Sequence, residues 1–117
     1  MTIRDIVETL PAYVACGKQG YPDMKPGKVI AGDLMSDLLV SVETNVFLVT
    51  SLATDQTIRS ADVIGATVIL LVNDKLPTPN MKELATECGI TLLSTPLPMY
   101  EACISLGFLQ DTDEKNN

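Results

Sequence analysis

From residue 28 onward, short apolar runs near 28–32, 46–50, 67–72 and 90–94 alternate with helical segments near 34–43, 55–64, 80–88 and 98–106. This βα succession constrains the chain more than any other feature. The run Val68-Ile69-Leu70-Leu71-Val72 has no polar face, as expected of a parallel strand with helices above and below it. Three helical segments repeat apolar residues at i, i+3, i+4 and i+7: Met35, Leu38, Leu39 and Val42; Met81, Leu84, Ala85 and Cys88; Met99, Ala102, Cys103 and Leu106. Those stripes face a sheet. Gly65, Gly89 and Gly107 follow helical segments where a left-handed residue commonly ends a helix, and Pro79 stands in a first turn after Thr78. The pattern predicts an α/β domain, a three-layer sandwich with a mainly parallel sheet and helices distributed over both faces by right-handed crossovers.

The first residues extend this scheme. Thr2-Ile3-Arg4-Asp5 reads as a capping box opening a helix to about Leu10, which Pro11 stops. Residues 12–16 can then add an antiparallel edge strand. Gly17, Gly20, Pro22, Pro26 and Gly27 predict a surface loop returning near Lys28. Residues 1–110 therefore read as one domain, and 111–117, polar and without apolar anchors, as a disordered tail.

A chain of 117 residues is long enough to bury roughly two-thirds of its unfolded surface without a disulfide or metal. Its composition is 46% hydrophobic but 4% aromatic, so the core must be aliphatic, and some apolar surface is expected to serve a homodimer interface. A formal charge of -7 opposes binding to nucleic acid or to an anionic membrane. No apolar run is long enough for a membrane span, and the start lacks a signal-peptide pattern, so the expected location is cytoplasmic. Cys16, Cys88 and Cys103 match no metal-ligand spacing. Cys88 and Cys103 fall on apolar stripes and read as packed thiols, whereas Cys16 ends a predicted strand beside Gly17-Lys18, a position compatible with exposure, with no base or second cysteine near it in sequence. The chain has no histidine, which removes Ser-His and Cys-His nucleophilic pairs, histidine bases and most zinc sites. No catalytic constellation, metal site or cofactor is expected.

In an open parallel sheet, ligands bind beyond the carboxyl ends of the strands. Those junctions carry Asp33 and Ser36; Thr50, Ser51 and Thr54; Asn73, Asp74 and Lys75; and Ser94 and Thr95. The ligand-binding candidates are Asp33, Ser36, Asp37, Ser51, Asn73, Ser94 and Thr95. The competing reading is that such residues cap helices. By helical angle, Asp33 and Asp37 lie away from the Met35 stripe by roughly 160 to 200°. As N-cap, Asp33 is worth about 1 kcal/mol, which outweighs its repulsion with Asp37; two carboxylates alone make a poor cation cage. Gly20 and Gly27-Lys28 mimic a phosphate loop, but six residues separate the glycines, Val29 stands where Ser or Thr is required, and a strand follows. No G-x-G-x-x-G occurs.

The segments GDLMSDLLV, VFLVTSLATDQTIRSADVIGATVILLVNDKLP and ELATECGITLLSTPLPMYEAC together resemble the stand-alone proteins of the DRTGG domain family from bacteria and archaea. The resemblance covers about residues 1–108 and is strongest over 32–103. It implies an α/β sandwich similar to the N-terminal domain of HPr kinase. It also implies an accessory role, frequently dimerising, since the family's domain occurs beside nucleotide-binding CBS domains and DHH-type phosphatases, or in phosphotransacetylases. The sequence departs from the name-giving pattern: Thr54-Asp55 stand where the Asp-Arg pair falls, and Val72-Asn73-Asp74 where the Thr-Gly-Gly turn falls. The expected function is a non-catalytic, homodimeric regulatory or ligand-sensing module that takes a nucleotide or other phosphorylated small molecule at the carboxyl edge of the sheet. The alternatives are a structural subunit that binds a protein partner, and an enzyme acting on a phosphorylated metabolite through Asp33 or Asp37.

Overall fold

The computed structural model describes residues 1–33 and 45–115. Helix α1 (Ile3–Thr9) opens on the expected capping box: the Asp5 amide donates to Thr2 Oγ1 and the Thr2 amide donates to Asp5 Oδ2. Strand β1 (Tyr13–Cys16) follows, then a 3₁₀ turn at Tyr21–Asp23 and strands β2 (Val29–Ala31) and β3 (Val46–Thr50). Helix α2 (Asp55–Val63), strand β4 (Ala66–Leu71), helix α3 (Pro79–Cys88), strand β5 (Thr91–Ser94) and helix α4 (Met99–Lys115) complete the described chain. The helix expected near 34–43, with its stripe Met35, Leu38, Leu39 and Val42, lies outside the described residues.

The five strands form one sheet in the order β1-β5-β4-β3-β2. Strands β2, β3, β4 and β5 are parallel, and β1 adds the expected antiparallel edge by pairing with β5. Helices α2 and α3 cover one face and α1 and α4 the other, giving a three-layer α/β sandwich. The two faces are covered for different reasons. Consecutive parallel strands are sheet neighbours throughout, so the right-handed crossovers through α2 and α3 fall on the same side. The second face is closed by the chain before and after those crossovers.

Strand β3 is buried at every position. Its Val46 and Leu48 pack with Ile58, Ala61, Met81 and Ala85 on one face. Phe47 and Val49 pack with Ile3, Ile6, Leu10, Ala102 and Leu106 on the other. One residue of β4 interrupts the alternation: Val46 pairs with Ala66 but Phe47 with Val68, which leaves Thr67 as a bulge. Ala66 and Val68 consequently face opposite layers.

Gly65 and Gly89 have φ of 80° and 70°, the left-handed conformation expected at helix ends. Gly107 does not end its helix. Helix α4 continues through it to Lys115, into the stretch expected as a tail, because Leu109 beyond the glycine still packs against the core.

Candidate functional site

At the carboxyl edge, β2 is prolonged by a ladder bond from the Gly32 amide to Val49 O, which delivers Asp33 beside the end of β3. Its Oδ1 accepts from Thr50 Oγ1 at 2.9 Å and from the Ser51 amide at 2.8 Å, while Oδ2 accepts from Ser51 Oγ at 2.7 Å. The Ser51 hydroxyl, followed by the Ser51 amide and Thr50 hydroxyl, holds the Asp33 carboxyl below its ordinary value, and partial burial opposes them. Asp33 is thus an ionised acceptor fixed across the ends of two parallel strands. The amide and hydroxyl of Ser51, donors suited to a phosphate, are already given to that carboxylate.

A second group gathers two strands away. Asn73 and Asp74 have φ of 59° and 60°, and the Lys75 amide donates to Val72 O. Positive φ at both central residues makes this a type I′ turn. The turn is latched to the loop after β5 by Asn73 N to Leu97 O at 2.8 Å and Asp74 N to Thr95 O at 3.1 Å. Ser94 Oγ donates to Lys75 O at 2.6 Å, and Thr95 Oγ1 donates to Leu10 O at 2.6 Å. Both hydroxyls are buried. They fasten loops and the end of α1 to the sheet instead of facing outward. Asn73, Asp74 and Lys75 stay exposed on the rim.

Five of the seven candidates can therefore be placed. Asp33 and Ser51 are joined, Asn73 is exposed on a neighbouring turn, and Ser94 and Thr95 are turned inward. Ser36 and Asp37 lie outside the described residues, as does any helix that Asp33 would cap. Capping accounts for other hydroxyls of the rim: Thr54 Oγ1 accepts from the Thr57 amide and Thr78 Oγ1 from the Met81 amide. The strand order does not reverse among β2, β3, β4 and β5, so the described sheet does not build the crevice that such a reversal opens in doubly wound folds.

Two cavities lie away from this rim. One of about 210 Å³ is lined by Arg4, Val7 and Glu8 of α1 with Tyr21 and Pro22, and Arg4 beside it is paired with Asp23 at 2.9 Å. The sequence carried a signal for it in the helical spacing of Arg4, Val7 and Glu8, but the loop that closes it has no periodicity. The other, about 70 Å³, sits at the opposite edge of the sheet among Cys16, Gly17, Lys18, Thr86, Gly89 and Ile90.

Neither Cys88 nor Cys103 is an activated thiol. Burial pushes the half-buried Cys103 thiol up. Cys88 is exposed, contrary to the packed position expected of it: Ala85 is the last buried residue of α3, and 86–88 are exposed. Its thiol is also raised, by the surrounding protein first and then by Asp62 and Glu87. Cys16 is partly buried, with Sγ donating toward Ile90 O at 3.8 Å. Among the described residues, no group of three or more Cys, Asp or Glu is placed to hold a metal ion. No helix among them is long and apolar enough to cross a membrane.

No protein-family profile matches the chain, and neither does any curated protein. Among solved structures, the fold is similar to the CBS and DRTGG domains of the regulatory region of Clostridium perfringens pyrophosphatase, a complex with the activator diadenosine tetraphosphate. The TM-score is 0.75 at 17% sequence identity, over 87% of this chain and 44% of that one. The chain thus spans less than half of the regulatory region it resembles, and the likeness supports a DRTGG-like α/β fold.

Proposed function

We propose that this chain is a non-catalytic, homodimeric regulatory module of the stand-alone DRTGG type, working in the cytoplasm and sensing a nucleotide or related phosphorylated small molecule. The observation that carries the reading is the shared fold with a regulatory region that binds a dinucleotide activator. The chemistry of the rim refines it. Asp33 already accepts hydroxyl hydrogens from Thr50 and Ser51, so the ligand group it suits is a sugar hydroxyl rather than a phosphate, which it would repel. Asn73 and Lys75 lie at the end of β4, two strands from β2, or about 10 Å at the usual strand spacing. That separation suits a ligand with a sugar at Asp33 and a phosphate at Lys75.

Thermal unfolding against ATP, diadenosine tetraphosphate, sugar phosphates, inorganic phosphate and magnesium tests this reading. A ligand at one hundred times its dissociation constant adds about 2.7 kcal/mol to the folded state, which raises Tm by roughly 10 °C in a domain of this size. Lys75→Ala should reduce the shift. Absence of a shift with every compound would overturn sensing. It would favour the second reading, a structural subunit that binds a protein partner, which the inward use of the Ser94 and Thr95 hydroxyls already supports.

A further inference from the structure

Helix α4 is apolar on two opposite faces. Ala102 and Leu106 are buried against the sheet, with Met99, Cys103 and Leu109 packed beside them. On the outer side, Tyr100 is 76% exposed, Ile104 53% and Phe108 72%. These three follow at i, i+4 and i+8, and by helical angle Ile104 lies about 160° from both Ala102 and Leu106. The outer stripe is therefore not an extension of the core. An amphipathic surface helix normally turns charged or polar residues to that side, and two large aromatics there, in a chain only 4% aromatic, call for a cover.

We infer that this stripe is the subunit interface and that its occupant is α4 of a second copy, packed antiparallel about a two-fold axis near Ile104. The inference rests on the homodimeric reading above and names its surface. A two-fold interface must be complementary to itself, and the spacing of this stripe meets that condition. With Ile104 on the axis, Tyr100 meets the partner's Phe108, and Phe108 meets the partner's Tyr100, so that two aromatic pairs flank an aliphatic centre. The same register sets Glu101 against the partner's Gly107. A parallel arrangement would instead stack Glu101 and Asp111 on their own copies, which a chain of charge -7 tolerates poorly. A Cβ built on Gly107 meets no atom within 4 Å, so the partner's helix can approach closely there.

The area is of the right order. Aromatic side chains bring roughly 150–250 Å² each to a contact, so the stripe offers roughly 400 Å² per copy, about half of the ~800 Å² per partner in a standard interface. Glu101, Gly107 and Asp111 border the stripe by helical angle and supply further surface.

Sedimentation equilibrium on the full chain, with the variants Ile104→Glu and Tyr100→Ser, tests the assignment; Val63→Ser, exposed on α2 and off the stripe, is the control. Far-UV circular dichroism and a cooperative melt check that each variant folds, and Tyr100→Ser serves if the glutamate variant does not. The expected result is a wild-type dimer whose dissociation constant rises at least tenfold in Ile104→Glu and Tyr100→Ser and stays within twofold in Val63→Ser. A dimer unaffected by both stripe substitutions, or one weakened equally by the control, would overturn the α4 surface while leaving homodimerisation in place. A wild-type chain that is monomeric at micromolar concentration would overturn the surface and the homodimer together, with sensing still judged by the melts.

Discussion

At the scale of single residues, Asp33 shows how one carboxylate can organise the end of a sheet. Its three accepted hydrogen bonds come from Thr50 and Ser51. Asp33→Asn keeps an acceptor but loses the charge that strengthens them, and because Asp33 is exposed the expected loss is about 1 kcal/mol. The pH dependence has a definite sign. A carboxyl whose pKa is lowered by folding stabilises the native state above its unfolded value, near ~3.9, and that contribution is lost as pH falls through the folded value. Urea midpoints of wild type and Asp33→Asn should therefore differ at neutral pH and converge in acid below pH ~4; a gap independent of pH would mean that charge is not the cause. Thr95 behaves differently because it is buried and its hydroxyl closes on Leu10 O at 2.6 Å. Thr95→Val keeps the shape but leaves that carbonyl without this donor, with an expected loss of about 1–2 kcal/mol by equilibrium unfolding. Asp33 and Ser51 were legible as rim residues, since both follow strand-length runs. The inward turn of Ser94 and Thr95 was not, because the acceptors Lys75 O and Leu10 O are fixed by tertiary packing of distant backbone.

At the scale of elements, the signals that worked were those a short segment settles for itself. The capping box at Thr2 and Asp5, the caps at Thr54 and Thr78, and the left-handed Gly65 and Gly89 all involve groups within one turn. Gly89→Ala tests such a local signal: its added Cβ meets nothing within 4 Å, so the penalty is the backbone's alone at φ 70°. We expect about 1 kcal/mol, read as a lower urea midpoint with an unchanged slope. Gly107 marks the limit of the signal. Glycine permits a helix to end, but Leu109 gains contact with the core if it does not, and the packing decides. The Thr67 bulge was equally hidden, because 67–72 reads as an unbroken strand while the pairing partner sets which residue is left over. Apolar periodicity found the inner stripe of α4 and did not weigh the outer one, since Tyr100 and Ile104 fall between the inner positions and Phe108 lies past Gly107, where the helix was expected to end.

At the scale of the whole molecule, the layer order makes the N-terminal segment part of the core rather than an attachment to it. A run of parallel strands that stay sheet neighbours puts its crossover helices on one side, so the opposite face needs cover from outside that run. Helices α1 and α4 provide it. Ile3, Ile6 and Leu10 are each fully buried, and at about 1.5–3 kcal/mol per buried aliphatic side chain they contribute roughly 5–9 kcal/mol. That is comparable with the roughly 5–15 kcal/mol by which a whole domain is stable. The same segment supplies β1, the only described strand pairing with the outer edge of β5, and Leu10 O, the acceptor for Thr95. A chain beginning at residue 17 would lose all three contributions and expose Phe47, Val49, Val68 and Leu70, which share that face. We therefore expect it to lack a cooperative urea transition and to bind hydrophobic dyes, with a bared β5 edge open to intermolecular pairing. A sharp transition retaining most of the full chain's stability would show instead that α4 closes the face unaided and that α1 with β1 is dispensable to the core.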